Sequence, residues 1–148
     1  MLTIELVPHG AWFKNLRSEL SKEEWDIIRK RTYRNAGYKC EICGGKGKKW
    51  PVECHEMWEY DDINKIQTLT GTIALCPSCH EVKHIGLAQV KGNINRAIAH
   101  LTKVNSWDKQ TAITYINNCI DEWERRSCYS WDFDISLVTK IKCVDKYF

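Results

Sequence analysis

In the stretch ALCPSCHEVKH, two cysteines and two histidines fall at positions 76, 79, 80 and 84. Cys76 and Cys79 form a C-x-x-C pair, and a second pair, Cys40 and Cys43, lies upstream in KCEICGGKGKK. A tight turn of that spacing presents two sulfurs to one point, so the two pairs together make a tetrahedral thiolate set suited to zinc. His80 and His84 lie four apart in a segment of helical character, which puts both imidazoles on one face. Cys79 and His80 are neighbours, and on a helix of about 3.6 residues per turn neighbours diverge by roughly 100°. One small ion cannot easily collect Cys76, Cys79, His80 and His84 together. The sulfurs and the imidazoles are therefore predicted to serve different ions.

Two histidines need at least a third ligand, and VECHEM supplies His55. A centre of His55, His80 and His84 would leave coordination positions open to water, the mark of a catalytic rather than a structural ion.

These residues must be positioned by elements that the pattern partly reveals. TIELV reads as a short first strand. Ser21 and Glu24 make a capping box ahead of EEWDIIRKRTYRNAG, where Trp25, Ile28 and Tyr33 share a helical face and Gly37 follows as a C-terminal stop. CEICGGKGKK is turn-rich. PVECHEM and TIALC read as two strands, with Val52 and Cys54 on one face by period two. PSCHEVKHIG reads as a short helix with Pro77 in its first turn. NINRAIAHLTKVN and DKQTAITYINNCIDEWERR show helical periodicity and are expected to form a helical hairpin. WDFDISLV alternates as a strand and is expected to pair with the N-terminal one.

The expected organisation is a strand and helix over residues 1–37, a metal-rich centre over 38–87, and a helical hairpin with a final strand over 88–148, all in one compact α+β domain. The 148 residues, 43% of them hydrophobic with seven Trp, are enough to bury a core. A formal net charge of +3 permits a nucleic-acid partner without demanding one. No apolar run approaches a membrane span, and MLTIELVPHGAWF lacks the pattern of a signal peptide, so a cytoplasmic chain with reduced thiols is expected.

From Cys40 to His84 the pattern resembles the HNH nuclease family in its cysteine-rich, zinc-knuckle branch. The motifs that carry the resemblance are a C-x-x-C, a strand with a polar pair, a second strand and LCPSCHEVKH. They cover about residues 38 to 86, and the whole chain also looks like small bacterial and phage proteins of that family. The resemblance implies a ββα-metal fold braced by zinc, with Cys40, Cys43, Cys76 and Cys79 as structural ligands. His55, His80 and His84 would hold a second divalent ion (Zn2+, Mg2+, Mn2+ or Ni2+), and DNA would be cleaved. The family's general base follows the strand ligand, which here makes Glu56 the base. In the alternative register Cys54 ligates and His55 is the base. Glu56 as a fourth ligand is a third arrangement, with both ions then structural. The family's middle Asn falls near Gly71, which has no side chain. The basic loop KGKKW offers Lys46, Lys48 and Lys49 to phosphates. The acidic WEYDD is expected to be a solvated loop near the site. A domain that binds nucleic acid or a protein partner without cutting, and a zinc-stabilised adaptor, are the competing expectations. Cys119, Cys128 and Cys143 read as buried or free thiols, and Trp25, Trp107 and Trp123 as core.

Overall fold

A computed structural model of the protein describes residues 1–11 and 16–145, with side chains through Ile141. The fold is α+β. A 3-10 turn, His9–Ala11, leads into the short helix α1 (Leu16–Glu19) and then α2 (Lys22–Asn35). The Ser21 hydroxyl accepts the Glu24 N–H while the Glu24 carboxylate accepts the Ser21 N–H, so the expected capping box starts α2. Beyond its last turn, Gly37 takes a φ of +60°, a left-handed conformation in which a side chain would be strained.

Strands β1 (Glu53–Asp61) and β2 (Ile66–Leu75) form an antiparallel hairpin with His55 opposite Ile73 and Met57 opposite Gly71. A bulge at Met57/Trp58 interrupts the register. Then follow α3 (Pro77–Lys83), α4 (Ile85–Val90), α5 (Ile94–Asn105), α6 (Lys109–Ser127), β3 (Asp132–Asp134) and α7 (Ser136–Asp145). Helices α5 and α6 pack together as the expected hairpin, and α5 packs on α3.

Several expectations need correction. The N-terminal segment containing TIELV buries Leu2 and Ile4 alternately, yet it joins no sheet. Its backbone groups bond instead to Asn105, Tyr115 and the Lys83 carbonyl, because helices rather than strands lie beside it. The final strand shrinks to Asp132–Asp134 and pairs in parallel with β2, not with the N-terminal segment. Ile135 lies between the two elements and SLV starts α7, whose first N–H, that of Ser136, donates to the Asp134 carboxylate. WEYDD is not a loop: Trp58 to Asp61 complete β1, and Asp62 in the following turn pairs with Arg125 and Arg126 of α6. The helix expected over residues 77–86 breaks at His84, whose φ of −101° and ψ of 49° separate α3 from α4.

Two apolar clusters hold these layers. The larger joins Leu2, Leu75, Val82, Ile85, Leu101 and Ile116, and includes Cys40, Cys76 and Cys79. The smaller, around Leu16, Ile28, Leu69 and Val138, seats α1, α2 and α7 on the sheet. Trp25 and Trp107 pack at the margins of the clusters, as expected for core residues. No helix of the described residues is long and apolar enough to cross a membrane.

Candidate metal centres

Two separate groups of metal-ligating side chains converge on α3. In the first, the sulfurs of Cys40, Cys43, Cys76 and Cys79 all lie within 4.8 Å of one another. Zinc–sulfur bonds of about 2.3 Å give a tetrahedron with edges of roughly 3.8 Å, and Cys43 Sγ stands 3.6 Å from Cys76 Sγ. The four cysteines could therefore hold a metal such as zinc.

Local structure explains the convergence. The loop after Cys40 folds back through Gly44 N–H on the Cys40 carbonyl and Cys40 N–H on the Gly45 carbonyl, both 2.9 Å. Gly44 has a φ of +73°, so this turn is easiest with glycine. Glu41 ties the turn to β2 by accepting the Ala74 N–H at 2.7 Å. Cys76 caps α3, its sulfur accepting the Cys79 N–H at 3.5 Å. Burial pushes the thiols of Cys76 and Cys79 up, with neighbouring sulfur charge adding to it. At Cys40 burial is outweighed by backbone N–H groups, which bring it down to about 7. Three of the four cysteines are buried and Cys43 is exposed, and holding all four together as thiolates would require a cation to offset their repulsion. A sulfur-rich, carboxylate-free set of this kind suits zinc.

The second group is His55 on β1, His80 on α3 and His84 at its end, again with ligand atoms within 4.8 Å. His80 Nε2 and His84 Nε2 are 3.1 Å apart. That matches the roughly 3.4 Å edge expected for zinc–nitrogen bonds of about 2.0–2.1 Å. Burial, then the neighbouring His80 and His55, depress His84 to about 4, so its lone pair is free at neutral pH. Burial also lowers His80, against the pull of Glu53.

Two carboxylates reach these rings. Glu53 Oε2 meets His80 Nδ1 at 2.5 Å and Glu5 Oε2 meets His55 Nε2 at 2.6 Å. Burial works against the Glu5 carboxylate, but His55 and the Lys83 ammonium outweigh it and hold its pKa below the usual value.

Period two along β1 divides its side chains as the strand geometry requires. Glu53 and His55 face the histidine group. The Cys54 thiol instead lies 3.7 Å from Thr32 Oγ1 on α2, and burial pushes it up to about 11. Among the described residues it is His55, not Cys54, that joins His80 and His84. Glu56 Oε1 accepts the Leu16 N–H at 3.0 Å and Oε2 the Trp58 indole N–H at 3.1 Å. Burial raises the Glu56 pKa.

The histidines border two openings. A cavity of about 440 Å³ is lined by Glu5, His55, Glu56, Tyr60, His84 and Trp123. A broader groove of about 830 Å³ has His80 and His84 beside Lys46, Lys48, Lys49 and Lys91. The KGKKW loop is seated tightly, since a Cβ on Gly47 would come within 2.2 Å of the Trp50 carbonyl oxygen and 2.8 Å of Pro77. Trp50 donates its indole N–H to Glu53 Oε1 at 2.8 Å, linking that loop to His80 through one carboxylate.

Sequence reasoning missed four participants. Glu5 is hidden inside a strand-like alternation, and Lys83 reads as an ordinary surface lysine between two histidines. Glu53 carries a legible signal, sharing strand parity with His55. His100 gives none: it lies 21 residues beyond Cys79, yet its Nε2 sits 3.2 Å from that sulfur because α5 packs on α3. Cys119 and Cys128 are free thiols, and the side chain of Cys143 lies outside the described residues. Comparison of the chain with models of known families, with curated proteins and with solved structures gives no match.

Proposed function

We propose that the protein is a metal-dependent HNH-type endonuclease that hydrolyses phosphodiester bonds in DNA. The observation that carries this reading is the pairing of two different donor sets on one short helix. One is closed and sulfur-only; the other is imidazole-only, bordering a cavity and a lysine-lined groove. In this reading the four cysteines hold zinc and fix α3 against the hairpin. His55, His80 and His84 hold the second divalent ion, which when bound would offset charge on a phosphate and its leaving oxygen. Lys46, Lys48 and Lys49 receive flanking phosphates along the groove.

Glu56 is the proton acceptor in the preferred register. It lines the same cavity as His55 and His84, and burial lifts its pKa toward the range in which a base is effective near neutral pH. A carboxylate at its reference pKa sits about two units below histidine. With a Brønsted dependence of about one half, that difference alone costs roughly tenfold in rate.

A second reading, a domain that binds nucleic acid or a protein partner without cutting, is favoured by a specific feature. Both Glu56 oxygens already accept hydrogen bonds, from Leu16 and Trp58, and Gly71 offers no side chain where the family carries its middle Asn.

Metal content per chain, together with plasmid nicking across Mg2+, Mn2+ and Ni2+, tests the choice. The nuclease reading expects two ions and nicking. It also expects Glu56→Gln to abolish nicking with both ions kept, and Glu56→His to retain or raise it. Normal nicking by Glu56→Gln together with loss of nicking in His55→Ala, ion retained, would move the base to His55. Two ions without nicking under any divalent metal would select the binding module.

A further inference from the structure

Glu5 reaches the histidine group from 50 residues before His55. It stands on the extended N-terminal segment, which is anchored residue by residue rather than by a sheet. The Asn105 side chain brackets Leu2, accepting its N–H at 2.7 Å and donating to its carbonyl at 2.8 Å. Ile4 N–H donates to the Tyr115 hydroxyl at 3.1 Å, and Glu5 N–H to the Lys83 carbonyl at 3.0 Å.

The Glu5 side chain is held as firmly as its backbone. Oε2 meets His55 Nε2 at 2.6 Å, while Oε1 accepts from Lys83 Nζ at 2.8 Å. Lys83 also donates to Thr3 Oγ1 at 2.7 Å. Both His55 and Lys83 are only 5% exposed. A buried ammonium is unfavourable unless paired, so Lys83 requires this carboxylate and fixes its position.

We propose that Glu5 is a positioning residue for a metal ion at the histidine centre. It accepts the proton of His55 Nε2 and leaves Nδ1 as the nitrogen available to an ion. This role rests on His55, His80 and His84 being an ion site. Glu5 is not among the side chains whose ligand atoms converge there, so it acts through His55. A carboxylate behind a ligating imidazole fixes its tautomer and ring orientation and raises its basicity. Lys83 and Thr3 keep the Glu5 carboxylate turned to that task. The N-terminal segment thereby becomes part of the centre, although no motif around the cysteines and histidines contains it.

The test titrates Co2+ into the 148-residue chain with its cysteines already loaded with zinc, reading affinity by calorimetry and by the visible d–d bands. The decisive variant is Glu5→Gln with Lys83→Met, which removes both charges together and leaves no buried ammonium unpaired. It should keep the wild-type zinc content and melting temperature while binding Co2+ about 10- to 100-fold more weakly. Lys83→Met alone, which retains the carboxylate but removes one of its anchors, should weaken Co2+ binding less than the double variant does. Unchanged Co2+ affinity in the double variant would overturn the role of Glu5 and leave the ion site standing. A wild type that takes up no Co2+ beyond its zinc would overturn the ion site and the role of Glu5 together. Should the double variant fail to fold, Glu5→Asp withdraws the carboxylate by one methylene. Weakened Co2+ binding with shifted d–d bands is then expected, and wild-type affinity and spectrum would overturn the proposal.

Discussion

Cys79 and His80 are adjacent in sequence, yet Cys79 is wholly buried in an apolar cluster while His80 borders the lysine-lined groove. The helix turn between them separates two kinds of chemistry. Cys79 shares its cluster with Leu75, Val82 and Leu101, its sulfur meets His100 Nε2, and among the described residues no carboxylate joins the sulfurs. Around His80 and His55 each ring has an acid behind it, Glu53 and Glu5. A sulfur-only donor set with three of its four members in an apolar cluster could hold an ion with every position filled by protein. Three imidazoles at the mouth of a cavity, two of them backed by carboxylates, could hold an ion that still has free positions. A single seven-residue helix can serve both because its faces look into different layers of the molecule.

The comparison is broken most severely at the cysteines. Cys79→Ser removes a fully buried ligand, and thiolate–zinc binding is folding free energy, about 10–16 kcal/mol in zinc-finger peptides at neutral pH. Loss of about one zinc per chain and a collapse of cooperative melting are expected, read by metal analysis and circular dichroism. An unchanged zinc count and melting temperature would remove the distinction between the two centres. The effect should spread beyond the knuckles, because Leu101 and Ile116 of the helical hairpin pack in the same cluster as Cys40, Cys76 and Cys79.

A milder break is expected at the histidines. His84→Ala should lose the second ion and any nicking while keeping the cysteine-bound zinc, at a stability cost of roughly 1–2 kcal/mol for a partly buried side chain. In zinc-loaded protein without a second ion, pH adds a signature. The folded pKa of His84 lies near 4, below the usual 6.5, so between those values the unfolded chain binds more protons. Its contribution to stability is complete above about pH 6.5 and is lost as pH falls toward 4. The wild type should therefore lose stability relative to His84→Ala over that window. Parallel denaturation midpoints for the two proteins would show that the imidazole is not held neutral by its surroundings.

The same division between the centres marks what could be read in the sequence. The C-x-x-C pairs are local: their spacing determines the turn, and Gly44 and Pro77 show where each chain reversal or helix start lies. Likewise Ser21 and Glu24 identify the start of α2 without help from any distant residue. The separation of sulfur from imidazole follows from helix geometry, and His55 follows from strand parity. What could not be read depends on partners distant in the chain. The N-terminal segment has a strand's alternation because Leu2 and Ile4 must be buried, but burial against helices satisfies that pattern as well as a sheet does. Glu5, Lys83 and His100 meet their partners only when α5 closes over α3 and the N-terminal segment is drawn beside them. The broken helix at His84 has no proline or terminal glycine to signal it. Ile85 and Ala88, both buried, give tertiary reasons for the chain to turn there.

The smallest expected effect sharpens the comparison from outside both centres. Lys48 and Lys49 are exposed on a loop that is linked to the histidine centre through Trp50, Glu53 and His80. Neither lysine belongs to a donor set, so Lys48→Ala with Lys49→Ala should leave both ions in place and change stability by no more than about 0.5 kcal/mol. DNA binding should respond differently. Removing one lysine–phosphate pairing lowers the slope of log affinity against log salt by about 0.9 for a duplex or about 0.7 for a single strand. The double variant, titrated by fluorescence anisotropy at several salt concentrations without added magnesium, should therefore bind more weakly at low salt. Its affinity should converge with that of the wild type as salt rises. An unaltered slope would mean that phosphates do not follow the groove beside His80 and His84. On the nuclease reading, a nucleic acid would then have to approach through the smaller cavity, where Glu5 and Glu56 stand in its way.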